Sequence, residues 1–204
     1  QGLFNFSYGP DDIVVECNPY CNCAPTCNNR VAQRPRPVPI ELFKTLNRGW
    51  GIRSPREVKK GAVLGLHTGL AANSTFLRPR RDAKSVDEGH REHIFDLDYN
   101  DGDAPEDELF SVDSFECGNW TRFVNHSCSP NVRVQPIVYD TLPEQRIAFL
   151  AFIALVDITA NTEFCIDYSP RAQGNTSNAT TELDAAGGTK CLCESVNCRG
   201  QIYL

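Results

Sequence analysis

Ten cysteines in 204 residues, seven of them in two tight clusters, constrain this chain more than any other feature. Cys17, Cys21, Cys23 and Cys27 form C-x3-C-x-C-x3-C near the start, and Cys191, Cys193 and Cys198 form C-x-C-x4-C near the end. Such clusters are read either as a disulfide framework or as thiolate metal sites. One-residue spacings oppose disulfides within a cluster, because neighbouring side chains of extended backbone point to opposite faces. Zinc held tetrahedrally by thiolates accepts that spacing. The reading that follows is zinc in a reducing intracellular compartment. The N-x-S/T sequons at Asn73, Asn119, Asn125, Asn175 and Asn178 are then chance matches.

The C-terminal trio supplies three thiolates where a closed structural zinc site takes four ligands. The best candidate for the fourth is Cys128, in the polar stretch "RFVNHSCSPN" (122–131). The competing reading makes Cys128 a small buried hydrophobe, as free cysteines often are. As a ligand, it would fold the last residues back over Asn125 and His126, and metal binding would order that segment.

The bulk numbers leave room for one good core and a small appendage. No run of 18 apolar residues exists, so no membrane span is expected. The start lacks a basic segment followed by an apolar one, so no signal peptide is visible, although a mature secreted chain would lack one too. A net charge of −6 and a pI near 5.2 argue against direct DNA binding. They suit a basic partner instead. Residues 1–47 read as a loop-rich zinc module. From 48 to 170, short β-type runs alternate with turn residues, which predicts a mainly antiparallel, mainly β domain. A short helix is placed within 76–92, limited by Pro79. Residues 171–187 form a linker of low hydrophobicity, and 188–204 carry the last cysteines.

Taken together, "NRGWGIRS" (47–54), "KKGAVLGLHTG" (59–69), "HIFDLDY" (93–99), "GNWTRFVNHSCSPN" (118–131), "EFCIDY" (163–168) and "KCLCESVNCRG" (190–200) resemble SET-domain lysine methyltransferases. The upstream "VVECNPYCNCAPTCNNRVAQ" resembles the last part of a pre-SET zinc module, and together these stretches resemble the Su(var)3-9 class acting on histone H3 lysine 9, of the Clr4 type. That resemblance implies a β-clip of short sheets with pseudoknot-like threading, flanked by small zinc-bound pre-SET and post-SET appendages. It implies S-adenosylmethionine as methyl donor and a histone H3 tail as substrate. Nuclear, chromatin-bound work among chromatin-associated proteins follows, with heterochromatin formation as the outcome. Arg48, Gly49 and Trp50 match the cofactor loop, and Asn125 and His126 match the pair that contacts the cofactor. Tyr168 matches the tyrosine that orients the attacking amine.

Several aromatic positions depart from the pattern. His67 stands for a channel tyrosine, and His93 for the aromatic that opens "YLFDLDY". Cys117 replaces the tyrosine before Gly-Asn, and Ile166 replaces the Phe or Tyr two residues before Tyr168. His67 is carried as a catalytic candidate, His93 as a cofactor contact, and Cys117 and Ile166 as channel positions. An aliphatic Ile166 would leave a roomier, drier site, permissive of di- and trimethylation. The pre-SET pattern has nine cysteines around three zincs, of which four are present here; one zinc on those four is the expectation. The acidic stretch 96–113 would either attract a basic tail or form a solvated loop. Two functions follow: an active methyltransferase, or a degenerate module that binds cofactor or chromatin partners without turnover.

Overall fold

The computed structural model describes residues 3–9, 12–73, 75–77, 93–97, 110–140, 148–169 and 188–202. The helix expected within 76–92, the linker at 171–187 and most of the acidic stretch fall largely outside them. The largest sheet has four strands in the order β1 (Val14–Val15), β9 (Val132–Val138), β10 (Phe149–Ala154) and β4 (Val63–Leu66). Around it lie β2 (Glu41–Lys44) paired with β3 (Trp50–Arg53), and a sheet of β5 (Leu70–Asn73), β7 (Phe110–Asp113) and β6 (Ile94–Asp96). Four two-residue strands in two pairs complete the described set: β8 (Asn125–His126) on β11 (Cys165–Ile166), and β12 (Thr189–Lys190) on β13 (Gln201–Ile202). Among the described residues no helix is long and apolar enough to cross a membrane.

The strand β10 explains the centre. Its sequence FLAFIA is apolar at every position rather than alternating, as suits a strand covered on both faces. Five of its six residues are buried, between β9 and β4. Phe152 and Ala154 face a cluster with Ile52, Leu64, Val124, Phe164 and Ile166, while Ala151 and Ile153 face a second one with Phe4, Val14 and Ile137. Each fully buried Ile, Leu or Phe contributes about 1.5–3 kcal/mol relative to exposure. The N-terminal arm is therefore part of the body. The fully buried Gln135 fastens it, donating from Nε2 to the carbonyls of Gly9 at 3.2 Å and Asp12 at 2.5 Å.

Most pairings are antiparallel, in line with the expected mainly β fold, but two are parallel: β1 with β9, and β8 with β11. The second matters for the site. It lays Cys165 beside Asn125 and Ile166 beside His126, although the motifs lie far apart in sequence. The crossing is stitched by Ser127 N–H to the Ile166 carbonyl (2.8 Å), Phe164 N–H to the Ile52 carbonyl (2.7 Å) and Asn131 Nδ2 to the Glu163 carbonyl (2.8 Å). The cysteine-rich start has little apolar core and is pinned by Glu16. Its buried carboxylate accepts from the backbone N–H groups of Val31 and Ala32, both at 2.8 Å, and from Gln33 Nε2 at 3.0 Å.

Candidate methyl-donor and lysine site

Arg48 opens the site on the turn before β3. Its backbone N–H donates to Thr45 Oγ1 (3.0 Å), and Thr45 N–H donates to the Gly49 carbonyl (2.8 Å). This tight turn needs Gly49 at φ 69°, a left-handed conformation that costs glycine nothing. The Arg48 guanidinium then reaches the Glu163 carboxylate at 2.5 Å and the His126 carbonyl at 3.2 Å. Asn125 Nδ2 donates to the other Glu163 oxygen (2.7 Å) and to the Trp50 carbonyl (3.0 Å). Glu163 thus joins Arg48 and Asn125 into one unit. A Cβ on Gly51 would lie 2.7 Å from Glu163 Oε1, so the glycine there makes room for the carboxylate. Trp50 itself leaves half its surface exposed beside this unit.

Tyr168 is fixed at both ends. Its hydroxyl donates to the Val124 carbonyl (2.8 Å) and its backbone N–H donates to His126 Nδ1 (3.1 Å). Because Nδ1 accepts, the neutral His126 ring carries its proton on Nε2, which faces Cys128 Sγ at 3.3 Å. Burial lowers the His126 pKa, with Asp167 opposing and Arg199 and Arg48 reinforcing the shift. The sequence assigns His126 to the cofactor; in the fold its ring nitrogens face the Tyr168 backbone and the Cys128 sulfur.

His67 is buried against Phe95 and Phe152, with ring centroids 4.6 and 5.9 Å away. A relay of hydrogen bonds sets its tautomer. Asn119 Nδ2 donates to the Leu66 carbonyl (2.8 Å), which leaves Asn119 Oδ1 to accept from the Thr121 hydroxyl at 2.5 Å. The Thr121 oxygen must therefore accept from His67 Nδ1–H at 2.8 Å. His67 Nε2 is left as a buried acceptor with no hydrogen-bond partner among the described residues. Burial, helped by His93, pushes the His67 pKa down to about 4, so the ring is neutral at physiological pH. His93 sits at the start of β6 with its ring 5.6 Å from Phe115. Ile166 is buried in the main core, whereas Cys117 is exposed.

The two cysteine clusters differ. The sulfurs of Cys128, Cys191, Cys193 and Cys198 all lie within 4.8 Å of one another, with Cys128 and Cys191 at 3.8 Å. A tetrahedron with Zn–S bonds of about 2.3 Å has edges near 3.8 Å, so the donor set fits zinc, and these four residues would hold it. Backbone N–H groups of Arg199 and Gly200 point at Cys128 and Cys198 sulfurs (3.3 and 3.4 Å), as they do at thiolates. At the other end Cys17, Cys23 and Cys27 converge, but Cys21 stands apart, its thiol turned 3.4 Å from Asn18 Oδ1. The expected set of four on one zinc is three here. The local reason is the turn in which Cys21 N–H donates to the Asn18 carbonyl (3.2 Å) and Asn18 Oδ1 caps the Tyr20 N–H (3.0 Å).

Glu163, Asp167, Asn131, Thr121 and Arg199 emerge from the fold and were absent from the sequence reading of the site. Each acts through long-range contacts, so spacing carried no signal for them; their presence inside the quoted motifs was the one pointer.

A mainly β fold whose C-terminal half threads a tyrosine strand beside an Asn-His pair defines the class. The SET-domain model matches residues 49–169, and the chain belongs to that family. It is 37% identical over 198 residues, 94% of this chain and 38% of the relative, to the H3 lysine-9 specific histone-lysine N-methyltransferase of Schizosaccharomyces pombe. The solved structure of the Neurospora SET domain protein DIM-5, a histone lysine methyltransferase, is 33% identical, with a TM-score of 0.69 over 87% of this chain and 65% of that one. KRYPTONITE in complex with methylated DNA, an H3(1–15) peptide and S-adenosylhomocysteine is 27% identical, with a TM-score of 0.70 over 94% of this chain and 35% of that one. The chain spans 22% to 59% of the length of the curated relatives it matches.

Proposed function

We propose that this chain is the S-adenosylmethionine-dependent unit of a histone H3 lysine methyltransferase of the lysine-9 type, working in the nucleus on chromatin. In this reading residues 48–170 are the catalytic domain and 1–47 and 188–204 its zinc appendages. The observation that carries it is the convergence of Arg48, Asn125, His126 and Tyr168 on the parallel β8–β11 crossing, closed by the cysteine segment. The names of the relatives, and the S-adenosylhomocysteine and H3 peptide bound by a neighbour of this fold, support the choice of cofactor and substrate. The acidic charge of −6 suits a basic tail and opposes direct DNA contact by this chain.

When bound, S-adenosylmethionine would supply a methyl group on a sulfonium; an uncharged lysine amine would take it in line as the S–CH3 bond breaks, leaving S-adenosylhomocysteine. A free lysine near pH 7.4 must give up its proton at a cost of about 4 kcal/mol. A dry channel reduces that cost by disfavouring the ammonium. Tyr168 is placed to orient the amine: its hydroxyl proton goes to the Val124 carbonyl, so towards an amine the oxygen acts as an acceptor. His67 is no strong base, since its pKa is about 4; its Nε2, without a partner among the described residues, can only accept. The chain's contribution is alignment and exclusion of water.

Transfer of labelled methyl groups to an H3(1–15) peptide tests the reading. Wild-type turnover that falls at least about a hundredfold in Tyr168→Phe is the expected result. The replacements at His67, Cys117 and Ile166 favour one other reading, a module that binds without turnover. Measurable S-adenosylhomocysteine affinity with no transfer would establish that reading instead.

A further inference from the structure

We propose that Arg199 is a positioning residue: it couples the C-terminal cysteine segment to the strand end that carries Tyr168. For its kinetic readout this rests on the methyltransferase reading above; for its structural readout it does not.

Arg199 follows Cys198 and makes contacts in three directions. Its backbone N–H donates to Cys128 Sγ at 3.3 Å. Its guanidinium donates to Asp167 Oδ1 at 2.5 Å and to the Ser169 carbonyl at 3.3 Å. One rigid fork therefore grips the residues immediately before and after Tyr168. The Asp167 side chain is only 7% exposed and that of Arg199 27%, so water competes weakly for the pair. The same Asp167 oxygen lies 3.7 Å from His126 Nδ1, the atom that receives the Tyr168 N–H. Through Arg199, the place of the cysteine segment and the place of the tyrosine become one variable. A tyrosine displaced by about 1 Å would still fold but would align the amine poorly.

A planar fork cannot be replaced by a point charge, so lysine at this position should rescue only in part. The protein is compared with Arg199→Met and Arg199→Lys as the whole chain. In Arg199→Met, kcat for the H3(1–15) peptide should fall about tenfold to a hundredfold, with KM within about twofold. Zinc content by atomic absorption should be unchanged, and Arg199→Lys should lie between. The Tyr168 amide should exchange with deuterium about tenfold faster, while amides of β9 and β10 keep wild-type protection. Adding Asp167→Asn to Arg199→Met should cost little more than either alone. Unchanged exchange at Tyr168, or exchange that rises only together with loss of zinc, overturns the proposal. If wild type shows no turnover while Arg199→Met still loosens Tyr168, the coupling stands and the methyltransferase reading fails.

Discussion

The two ends of the chain use the same chemistry for different purposes. The N-terminal cluster is local: three sulfurs from within eleven residues converge, and Arg30 and Asn29 hydrogen-bond to them from the same loop. Removing it would loosen a loop. The C-terminal cluster is long-range, since Cys128 lies 63 residues before Cys191, and its surroundings include His126, Asp167 and Tyr168. Removing it would open the site. A metal that bridges distant segments builds a pocket, whereas one that clips a loop supports a surface.

The largest predicted effect exploits this contrast. Chelation of the protein should abolish methyl transfer, a loss of more than about a hundredfold, because structural zinc contributes its binding energy to folding of the segment it orders. Hydrogen exchange should show residues 188–202 losing protection before β10 does. Glu163→Gln should come next. It weakens the partly buried pair with Arg48, removing about 1.5–3 kcal/mol of charge-assisted hydrogen bonding, and should weaken S-adenosylhomocysteine binding about tenfold by calorimetry. Glu16→Gln, in the N-terminal loop, should lower unfolding stability by about 1–2 kcal/mol yet leave the affinity for S-adenosylhomocysteine within about twofold.

A pH scan sharpens the same division. His67 has a folded pKa of about 4 against an ordinary 6.5, so between those values the unfolded chain binds more protons. Stability is then full above about pH 6.5 and declines as pH falls towards 4, by about 3 kcal/mol in all. Denaturant midpoints of wild type and His67→Gln should converge towards pH 4, since the variant lacks this dependence.

Much of the fold was legible because β-type runs and turn residues are local signals. β10 declared itself through an unbroken apolar run, and the cysteine spacings pointed to two clusters of converging sulfurs. The meeting of Cys128 with the C-terminal trio was also readable, from a trio one ligand short. Other features left no trace. The parallel pair of Asn125–His126 with Cys165–Ile166 is two residues long, too short for any periodicity, and its register is set by threading. Cys21 turns away because Asn18 organises the local turn, which spacing alone does not reveal. Glu163, Asp167 and Arg199 form ion pairs across the fold, and ordinary charged residues carry no mark of their future partners.

Zinc content and S-adenosylhomocysteine affinity, measured on Cys128→Ser beside Cys23→Ser, test the account most directly. Cys128→Ser should lose one equivalent of zinc and nearly all affinity, whereas Cys23→Ser should lose metal and keep its affinity within about twofold. A Cys128→Ser protein that retains both its full zinc content and wild-type affinity would contradict the account.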